Sequence, residues 1–246
     1  MARQSRTPAI LLTRPLLQSQ RFAEQLRACW PEVEVVISPL MAPEYLQPDL
    51  PSRSFAALVL TSETGAEAAR RISAAGVLLP ALAYCVGDRT ALAAQAAGFQ
   101  TQSAQGDADA LVAHIQAASP SGPLLLLRGA DTTGNISERL HLAGFETVSA
   151  ISYTQSPQPL SEAAVCLLRR AGPVVIPLFS PRSARIFSAQ RLQSPTIALL
   201  WVAALSPAVA AAAADLVPAL MRTAKRPDAA AMLDAIAALI ADGMGS

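Results

Sequence analysis

The apolar residues of this 246-residue chain fall into short, nearly continuous runs, separated by stretches that alternate apolar and polar residues at helical spacing. Such runs between helical segments are typical of parallel strands covered on both faces. Strands are predicted over 9–13, 33–38, 56–60, 81–86, 99–102, 124–127, 146–153, 173–178, 196–203 and 219–223. Helices are predicted over 17–28, 63–75, 90–97, 108–118, 135–143, 161–171, 182–189, 208–216 and 229–241. The pattern therefore predicts an α/β protein with parallel sheets.

One stretch of the chain also fits a second interpretation. Residues from Leu192 to Ala214 carry no charge, and this length is sufficient to span a bilayer. However, Pro195, Ser206 and Pro207 interrupt the stretch, and its second half is mostly alanine. A buried strand, a turn and an alanine-rich helix explain these residues better than a transmembrane helix.

The order of strand, small-residue turn and helix repeats along the chain. Three pairs of segments resemble each other: 86–115 and 205–236, 11–28 and 125–144, and 58–71 and 178–187. Identity within each pair is low, so pattern and spacing are what repeat. The repeat predicts two similar lobes with a cleft between them.

The positions of the repeats predict that one lobe is inserted into the other, because a single cut cannot give each lobe five strands. Residues 1–37 and 155–246 are expected to form the discontinuous lobe 1, and residues 42–151 the inserted lobe 2. The chain then crosses between the lobes at 38–41 and 152–154, which are predicted to be extended hinge strands.

Candidate binding residues follow the predicted strands, because open parallel sheets bind ligands at the carboxyl ends of their strands. These residues are hydroxyls, arginines and glycine: Arg14, Thr61, Ser62, Gly87, Arg89, Thr90, Arg128, Ser180, Arg182 and Ser206. Arginine forks and helix N-termini bind anions. Serine and threonine at helix starts also serve simply as N-caps, so each hydroxyl has a structural interpretation as well.

Several common types of site lack their sequence signatures. The chain has no glycine-rich dinucleotide or P-loop motif, no CxxC and no HExxH. His114 and His141 fall on predicted helices, and Lys225, in a polar turn, is the one lysine. The sequence therefore predicts a cleft that binds a polyanion without a metal or cofactor.

The composition of the chain indicates which binding partners and which cellular compartment to expect. The net charge of +1 gives no basic footprint for nucleic acid or a membrane surface. Cys29, Cys85 and Cys166 are far apart, each in or beside an apolar stretch, and favour buried thiols in a reducing compartment. The N-terminal segment has no signal-peptide pattern. We expect a cytoplasmic monomer that binds a small molecule.

Motifs along nearly the whole chain resemble the uroporphyrinogen-III synthase family. They occur in the family's order: LLTRP at 11–15, LVLTSETGAEAA at 58–69, VGDRTALAAQAAGF at 86–99, GDADALV at 106–112, LLLLRG at 124–129, VSAISYTQ at 148–155 and FSPRSARIF at 179–187. The run from 86 to 112 is the most specific of these. The resemblance implies two flavodoxin-like lobes joined by a two-stranded linker, with the active site in the cleft between them.

The resemblance also implies the reaction. The family is a group of lyases of porphyrin and heme biosynthesis that need no cofactor. The substrate would be hydroxymethylbilane, a linear tetrapyrrole with acetate and propionate arms. It loses its terminal hydroxyl as water to give an azafulvene, and a spiro intermediate then inverts the last pyrrole ring during closure. The protein would hold a folded conformer, donate a proton and shield the cation.

Residue by residue, the resemblance assigns roles to five positions. Thr61 and Ser62 match the family's hydroxyl pair after a strand, Thr90 matches the threonine of its VG-x-x-T turn, and Ser180 matches the serine of its FSP or FTS turn. Tyr153 matches the cleft tyrosine and is the candidate proton donor. A packing role at an interface is the alternative for this tyrosine.

One position departs from the family pattern. Where many relatives carry Gly-x-x-Thr in the second lobe, this chain reads Ser206-Pro207-Ala208-Val209. Ser206 or backbone groups would have to replace the missing hydroxyl. Two other functions stay open at this point, since fold alone does not select among them: a non-catalytic two-lobe ligand-binding or regulatory module, and a sugar- or phosphate-binding α/β enzyme.

Overall fold

A computed structural model of the chain describes residues 8–131, 135–193 and 196–244. The chain divides into two compact units. Unit 1 consists of Met1–Ala42 and Pro157–Ser246, and unit 2 of Pro43–Ser156. Unit 2 is thus an uninterrupted segment placed between the two parts of unit 1.

Strands and helices alternate along the described residues. The strands are β1 (Ala9–Leu12), β2 (Val35–Ile37), β3 (Met41–Tyr45), β4 (Ala57–Leu60), β5 (Leu82–Cys85), β6 (Gln100–Ser103), β7 (Leu124–Gly129), β8 (Thr147–Pro157), β9 (Pro173–Leu178), β10 (Leu199–Ala204) and β11 (Leu220–Thr223). The helices are α1 (Leu16–Cys29), α2 (Glu63–Ala74), α3 (Asp88–Ala96), α4 (Ala108–Ala118), α5 (Ile136–Leu142), α6 (Glu162–Arg169), α7 (Pro181–Leu192), α8 (Pro207–Ala212) and α9 (Ala229–Met244).

The sheet of unit 1 has five strands in the order β11-β10-β9-β1-β2, and its described pairs are parallel. The sheet of unit 2 has six strands in the order β3-β8-β7-β4-β5-β6, with parallel pairing from β8 to β6. The predicted α/β class with parallel sheets is confirmed.

The repeated sequence segments occupy equivalent places in the two sheets. β7 lies in unit 2 where β1 lies in unit 1, and the order β8-β7-β4-β5-β6 matches β2-β1-β9-β10-β11. The spatial order is the same, whereas the chain enters the two sheets at different strands. Unit 2 is therefore a circularly permuted version of the topology of unit 1.

Each sheet is buried on both faces, as its continuous apolar strands predict. In unit 1, Leu11 and Ile176 pack with α6, α7 and α8, whereas Ile10 and Val175 pack on the other face with α1 and α9. In unit 2, residues of α2 and α3 cover one face, and residues of α4 and α5 cover the other. This burial fixes the strand ends as rigid points from which loops carry the polar side chains.

The predicted boundaries are wrong in the segment around β3 and the end of β8. The sequence predicts an extended segment only at 38–41 in this part of the chain, whereas β3 covers Met41–Tyr45, and the strand predicted to end at 153 continues to Pro157. Backbone hydrogen bonds from Leu46 N–H to Ser152 and from Gln158 N–H to Leu40 show that the two segments run antiparallel. Tertiary pairing thus makes a strand of residues whose local sequence does not favour one.

No helix in the described ranges is long and apolar enough to cross a membrane. The uncharged stretch that allowed this interpretation forms the end of α7, strand β10 and helix α8. Pro195, which was expected to interrupt it, lies outside the described residues.

Candidate functional site

The predicted polar residues of unit 2 lie at one edge of its sheet. Thr61 and Ser62 connect β4 to α2, Gly87 connects β5 to α3, and Arg128 is in the last part of β7. Because β5, β4 and β7 are parallel neighbours, their carboxyl ends meet at the same edge. Tyr153 lies on β8, the next strand after β7, in mid-strand rather than at the predicted strand end.

Ser62 and Tyr153 are in direct contact. The phenol oxygen of Tyr153 is 3.1 Å from Ser62 Oγ, and either hydroxyl is able to donate. Ser62 is also the N-cap of α2, where its Oγ accepts a hydrogen bond of 3.0 Å from the backbone N–H of Gly65. Tyr153 is 8% exposed, so its ring is mostly enclosed by protein. Two residues predicted independently therefore form one structural feature.

The ring of Tyr153 lies against Gly129 at the end of β7. A Cβ built on Gly129 would be 2.7 Å from Cε2 and 2.8 Å from Cζ of the tyrosine, closer than van der Waals contact permits. The register of β7 and β8 shifts here, since Arg128 pairs with Ile151 and Gly129 pairs with Tyr153. Bulges of this kind redirect a side chain next to a site.

Tyr45 is a residue of this region that the sequence analysis missed. The Arg71 guanidinium lies 4.2 Å from the centre of the Tyr45 ring, and burial followed by the negative charge of Glu67 raises the pKa of the Tyr45 phenol. The nearby Tyr153 also contributes to this increase. Tyr45 lies on β3, whose proline-bearing sequence obscured the strand.

Glu67 is held by two arginines on the same helix. Arg70 Nε and Arg71 Nε lie 2.7 Å and 2.8 Å from its carboxylate oxygens. These hydrogen bonds, that of Arg70 first, lower the pKa of Glu67 from 4.5 to about 2. The carboxylate is therefore ionised at neutral pH and orients Arg71 next to Tyr45.

The start of α3 is open. Gly87 is its N-cap, and no side chain caps the helix. Its φ of −159° is extended backbone that any residue adopts, and a Cβ there would approach only the carbonyl oxygen of Gly106, at 3.9 Å. Thr90, in the first turn, is buried at 5% exposure. The fold does not demand a glycine at position 87, so the lack of a side chain favours close approach of a ligand to the helix N-terminus.

The two predicted arginines of unit 2 differ in their surroundings. Arg89 is exposed, and within the described ranges it forms no hydrogen bond or ion pair. Arg128 donates from Nε to Ser149 Oγ at 2.9 Å and from a terminal nitrogen to the Gly129 carbonyl at 3.1 Å. Arg89 is therefore available to a carboxylate ligand, whereas Arg128 is largely engaged.

The helix start in unit 1 that is equivalent to that of α2 is the start of α7, because α7 follows β9 as α2 follows β4. Ser180 is its N-cap and accepts a hydrogen bond of 3.1 Å from the Ser183 backbone N–H. The hydroxyls of Ser180 and Ser183 also lie 2.9 Å apart. Arg182, between them in the chain, is exposed in the first turn. Here the hydroxyl of a neighbouring serine takes the place that Tyr153 takes at Ser62.

Arg14 is placed on an aromatic surface after β1. Its guanidinium carbon lies 3.9 Å from the centre of the Phe179 ring, and its Nε donates to Gln18 Oε1 at 3.2 Å. Phe179 in turn packs edge-on against Phe22, with ring centres 5.1 Å apart. Stacking of this kind holds a guanidinium in a fixed plane, which suits recognition of a carboxylate.

Ser206 caps α8, the helix that corresponds to α3. Its Oγ accepts from the Val209 backbone N–H at 3.4 Å, and Val209 is a core residue with 1% exposure. The position that holds Thr90 in unit 2 is therefore an apolar packing position here. That Ser206 or backbone groups replace the missing threonine hydroxyl stays a prediction.

The described residues contain no cluster of three or more histidine, cysteine, aspartate or glutamate side chains suited to a metal. Cys85 is buried as predicted, whereas Cys29 and Cys166 are exposed, so the prediction of buried thiols is wrong for these two. Burial raises the pKa of the Cys85 thiol to about 11, so this cysteine is a poor nucleophile at neutral pH. What these strand ends offer are hydroxyls, guanidinium groups and helix N-termini. Such groups bind carboxylates and donate protons.

Comparisons with known proteins agree with this chemistry. The family model described as uroporphyrinogen-III synthase HemD matches residues 20–234. The crystal structure of uroporphyrinogen-III synthetase from Helicobacter pylori is similar in fold, with a TM-score of 0.58 at 16% identity over 94% of this chain and 99% of that chain. A mutant uroporphyrinogen III synthase from Thermus thermophilus aligns at 14% identity over 95% of this chain and 99% of that chain, with a TM-score of 0.46. No curated protein matches the chain.

The family match covers most of the chain, including β8 and the ends of β4, β5, β7, β9 and β10, and the fold matches that of a solved member along nearly its full length. The family consists of enzymes of tetrapyrrole biosynthesis that cyclise hydroxymethylbilane in a lyase-type reaction. This chain belongs to the uroporphyrinogen-III synthase family.

Proposed function

We propose that in this chain Tyr153 is the proton donor of uroporphyrinogen-III synthesis, with hydroxymethylbilane bound through its carboxylates. The observation that supports this most is the placement of the Tyr153 phenol, 3.1 Å from Ser62 Oγ at the strand-end edge of unit 2. A tyrosine phenol carries a proton that it is able to donate to a departing hydroxyl.

The proton balance of the proposed step is as follows. The phenol proton moves to the terminal hydroxyl of the substrate, the carbon–oxygen bond breaks, and water leaves. The electron pair of the pyrrole nitrogen, which keeps its own proton, fills the vacancy at the methylene carbon and gives the protonated, cationic azafulvene, whose charge balances that of the phenolate. Closure then releases a proton from a pyrrole carbon, which restores the phenol. A positioned general acid of this type contributes roughly 10²–10⁴ in rate.

The substrate carboxylates are proposed to bind at the strand ends of each unit. In unit 2 the ligands are Thr61, Gly87, Arg89, Thr90 and Arg128, while Ser62, which the sequence also predicts as a ligand, is in contact with Tyr153. In unit 1 they are Arg14, Ser180, Arg182 and Ser206. Arg89 and Arg14 support this assignment most. The guanidinium group of Arg89 is exposed to solvent, and that of Arg14 is held in a fixed plane against Phe179.

A direct assay tests the proposed function. The protein is incubated with freshly generated hydroxymethylbilane, the porphyrinogens are oxidised, and the uroporphyrin isomers are separated. We expect the III isomer to predominate over the I isomer that unaided closure gives. A product with only the I isomer, together with tight binding of the substrate, would leave a ligand-binding module instead of an enzyme.

We also propose that units 1 and 2 are the lobes predicted from the sequence and that the protein acts as a cytoplasmic monomer. The position of unit 2 as one uninterrupted segment supports the first point. An isolated 43–156 fragment is expected to fold, and circular dichroism with thermal melting measures this. An unfolded fragment beside a folded full chain would contradict independent lobes. Sedimentation of the full chain measures the oligomeric state.

A further inference from the structure

Ser62 lies between a helix N-terminus and the proposed proton donor. Its oxygen accepts the N–H of Gly65 in the first turn of α2, and it also contacts the phenol oxygen of Tyr153. A serine oxygen has two acceptor positions and one proton. With one acceptor position occupied by Gly65, the serine proton is free to point toward Tyr153.

The direction of this hydrogen bond matters for the proposed step. When Tyr153 donates its proton to the substrate, the phenol oxygen becomes a phenolate and needs a donor. Ser62 is the hydroxyl in contact with it, and Ser62 is itself held at the positive end of the twelve-residue helix α2. A hydrogen bond to a charged oxygen is stronger than one to a neutral oxygen. The contact therefore strengthens as the proton leaves.

Gly129 leaves the space that the ring of Tyr153 occupies. A Cβ at position 129 would lie 2.7 Å from Cε2 and 2.8 Å from Cζ of the tyrosine, so the side chain of any other residue would collide with the ring. The backbone of Ser152 and Tyr153 is held as well, since the Ser152 carbonyl accepts from Leu46 and the Tyr153 carbonyl accepts from Ala130. The phenol therefore has one defined position relative to α2.

We propose that Ser62 and Gly129 are positioning residues that act through Tyr153, with Ser62 stabilising the phenolate and Gly129 providing the space for the ring. This proposal rests on the proposed role of Tyr153 as proton donor. It differs from the role of Ser62 as a ligand of the substrate, because a ligand of the substrate acts whether or not the phenol is present.

The first test removes the Ser62 hydroxyl with a residue that is also favourable at an N-cap. Ser62→Gly loses the hydrogen bond to the Gly65 N–H but is expected to change the melting temperature little. We expect kcat to fall about threefold to tenfold with KM unchanged, which corresponds to the loss of one hydrogen bond. Ser62→Thr keeps the hydroxyl and is expected to retain kcat. Ser161→Gly is the matched control, because Ser161 caps α6 through Ala164 N–H and lies outside the proposed site.

The second test repeats Ser62→Gly in a Tyr153→Phe protein. If Ser62 acts through the phenol, the added change leaves kcat and KM of Tyr153→Phe unaltered. An equal fall in kcat in both backgrounds, or a rise in KM in both, would overturn the positioning role and return Ser62 to the substrate ligands. Wild-type turnover of Tyr153→Phe alone would instead remove the donor role of Tyr153, and the positioning role with it.

The third test moves the ring. Gly129→Ala introduces a methyl group into the space of the ring in a strand whose backbone accepts alanine, so the ring must move and the melting temperature is expected to fall by a few degrees while the fold persists. We expect kcat to fall about tenfold, because misplacement of a catalytic group by about 1 Å lowers the rate by up to about a hundredfold. The fall cannot exceed that of Tyr153→Phe, and Gly129→Ala in the Tyr153→Phe protein should change kcat little. A larger effect, or one that persists without the phenol, would overturn the role of Gly129.

Discussion

Two helix starts at the same place in the two units differ in what their capping serine touches. Ser62 begins α2 and Ser180 begins α7, and both accept a backbone N–H three residues ahead. The third residue after Ser62 is Gly65, which leaves the serine hydroxyl to Tyr153. The third residue after Ser180 is Ser183, whose own hydroxyl contacts that of Ser180. The same kind of helix start therefore contacts a tyrosine hydroxyl in unit 2 and a neighbouring serine hydroxyl in unit 1.

A similar difference exists at the next helix starts. Gly87 leaves the first turn of α3 without a side-chain cap, and Ser206 caps α8. The strand that corresponds to β8 in unit 1 is β2, whose three residues are Val35, Val36 and Ile37 and include no aromatic side chain. We infer that unit 2 supplies the proton chemistry and that unit 1 supplies binding contacts. The predictions below test this division.

The largest effect is expected for Tyr153→Phe. Loss of the donor should lower kcat about a hundredfold, the lower end of the range for general acid catalysis, because water partly replaces the phenol. The fold and the substrate KM should persist, and the III isomer should remain the enzymatic product, with more I isomer from unaided closure. Steady-state kinetics with isomer analysis measures all three. Unchanged turnover would leave Tyr153 as a packing residue and would contradict the inference that unit 2 supplies the proton chemistry.

The next largest effects are expected for the arginines. Charge-assisted contacts to carboxylates contribute roughly 1.5–3 kcal/mol when partly desolvated, so Arg89→Ala should raise KM about tenfold at low salt, with kcat nearly constant. Arg14→Ala and Arg182→Ala test the same role in unit 1. Arg128→Ala should have the smallest effect, since Ser149 and Gly129 already engage its guanidinium. Kinetics at two salt concentrations measures these changes; identical constants in all four variants would exclude arginine ligands.

A smaller effect is expected when the two helix starts are made alike. Gly87→Ser places in unit 2 the cap that Ser206 provides in unit 1, and serine is a good N-cap. The melting temperature should stay the same or rise, because Gly106 leaves room for the side chain. KM should increase, because the hydroxymethyl group covers the open N–H groups. A variant that gains stability and keeps its KM would show that α3 does not approach the substrate.

The smallest effect is a change of stability that depends on pH. The pKa of Glu67 is lowered to about 2 in the folded protein by Arg70 and Arg71, so the ionised carboxylate stabilises the fold above a pH of about 4.5. This contribution disappears as pH falls from about 4.5 toward 2. Because both ion pairs are partly exposed to solvent, which screens them, Glu67→Gln should cost about 1 kcal/mol at pH 7. Urea unfolding at pH 7 and pH 3 measures it; an equal cost at both values would contradict the ion pairs.

The sequence predicts the regular parts of this protein well. The apolar runs mark the strands of both sheets because continuous burial leaves a clear pattern, and the repeats identify strands that are equivalent in space, such as β1 and β7. Family motifs point to Ser62 and Tyr153 separately. Their direct contact is not readable from the chain, since 91 positions separate them and the register shift at Gly129 sets the direction of the ring.

The segment that sequence analysis misses is β3. Its five residues include Pro43, and prolines at 39, 48 and 51 surround it, so local propensity favours a loop. Pairing with β8 overrides this preference. Tyr45 was missed with its strand, although its contact with Arg71 and the effect of Tyr153 on its pKa place it beside the candidate site.

The permuted order of the two sheets has a consequence for the order of folding. In unit 1 the interior strand β1 pairs with the central strand β9, and Ala9 meets Val174, so this pairing waits until most of the chain has been synthesised. All strands of unit 2 leave the ribosome before β9 does. Closing a long loop is slow and entropically costly, and a compact inserted unit shortens that loop. Synthesis therefore favours a nascent chain in which the part with the tyrosine site forms first, while β1 remains unpaired with β9.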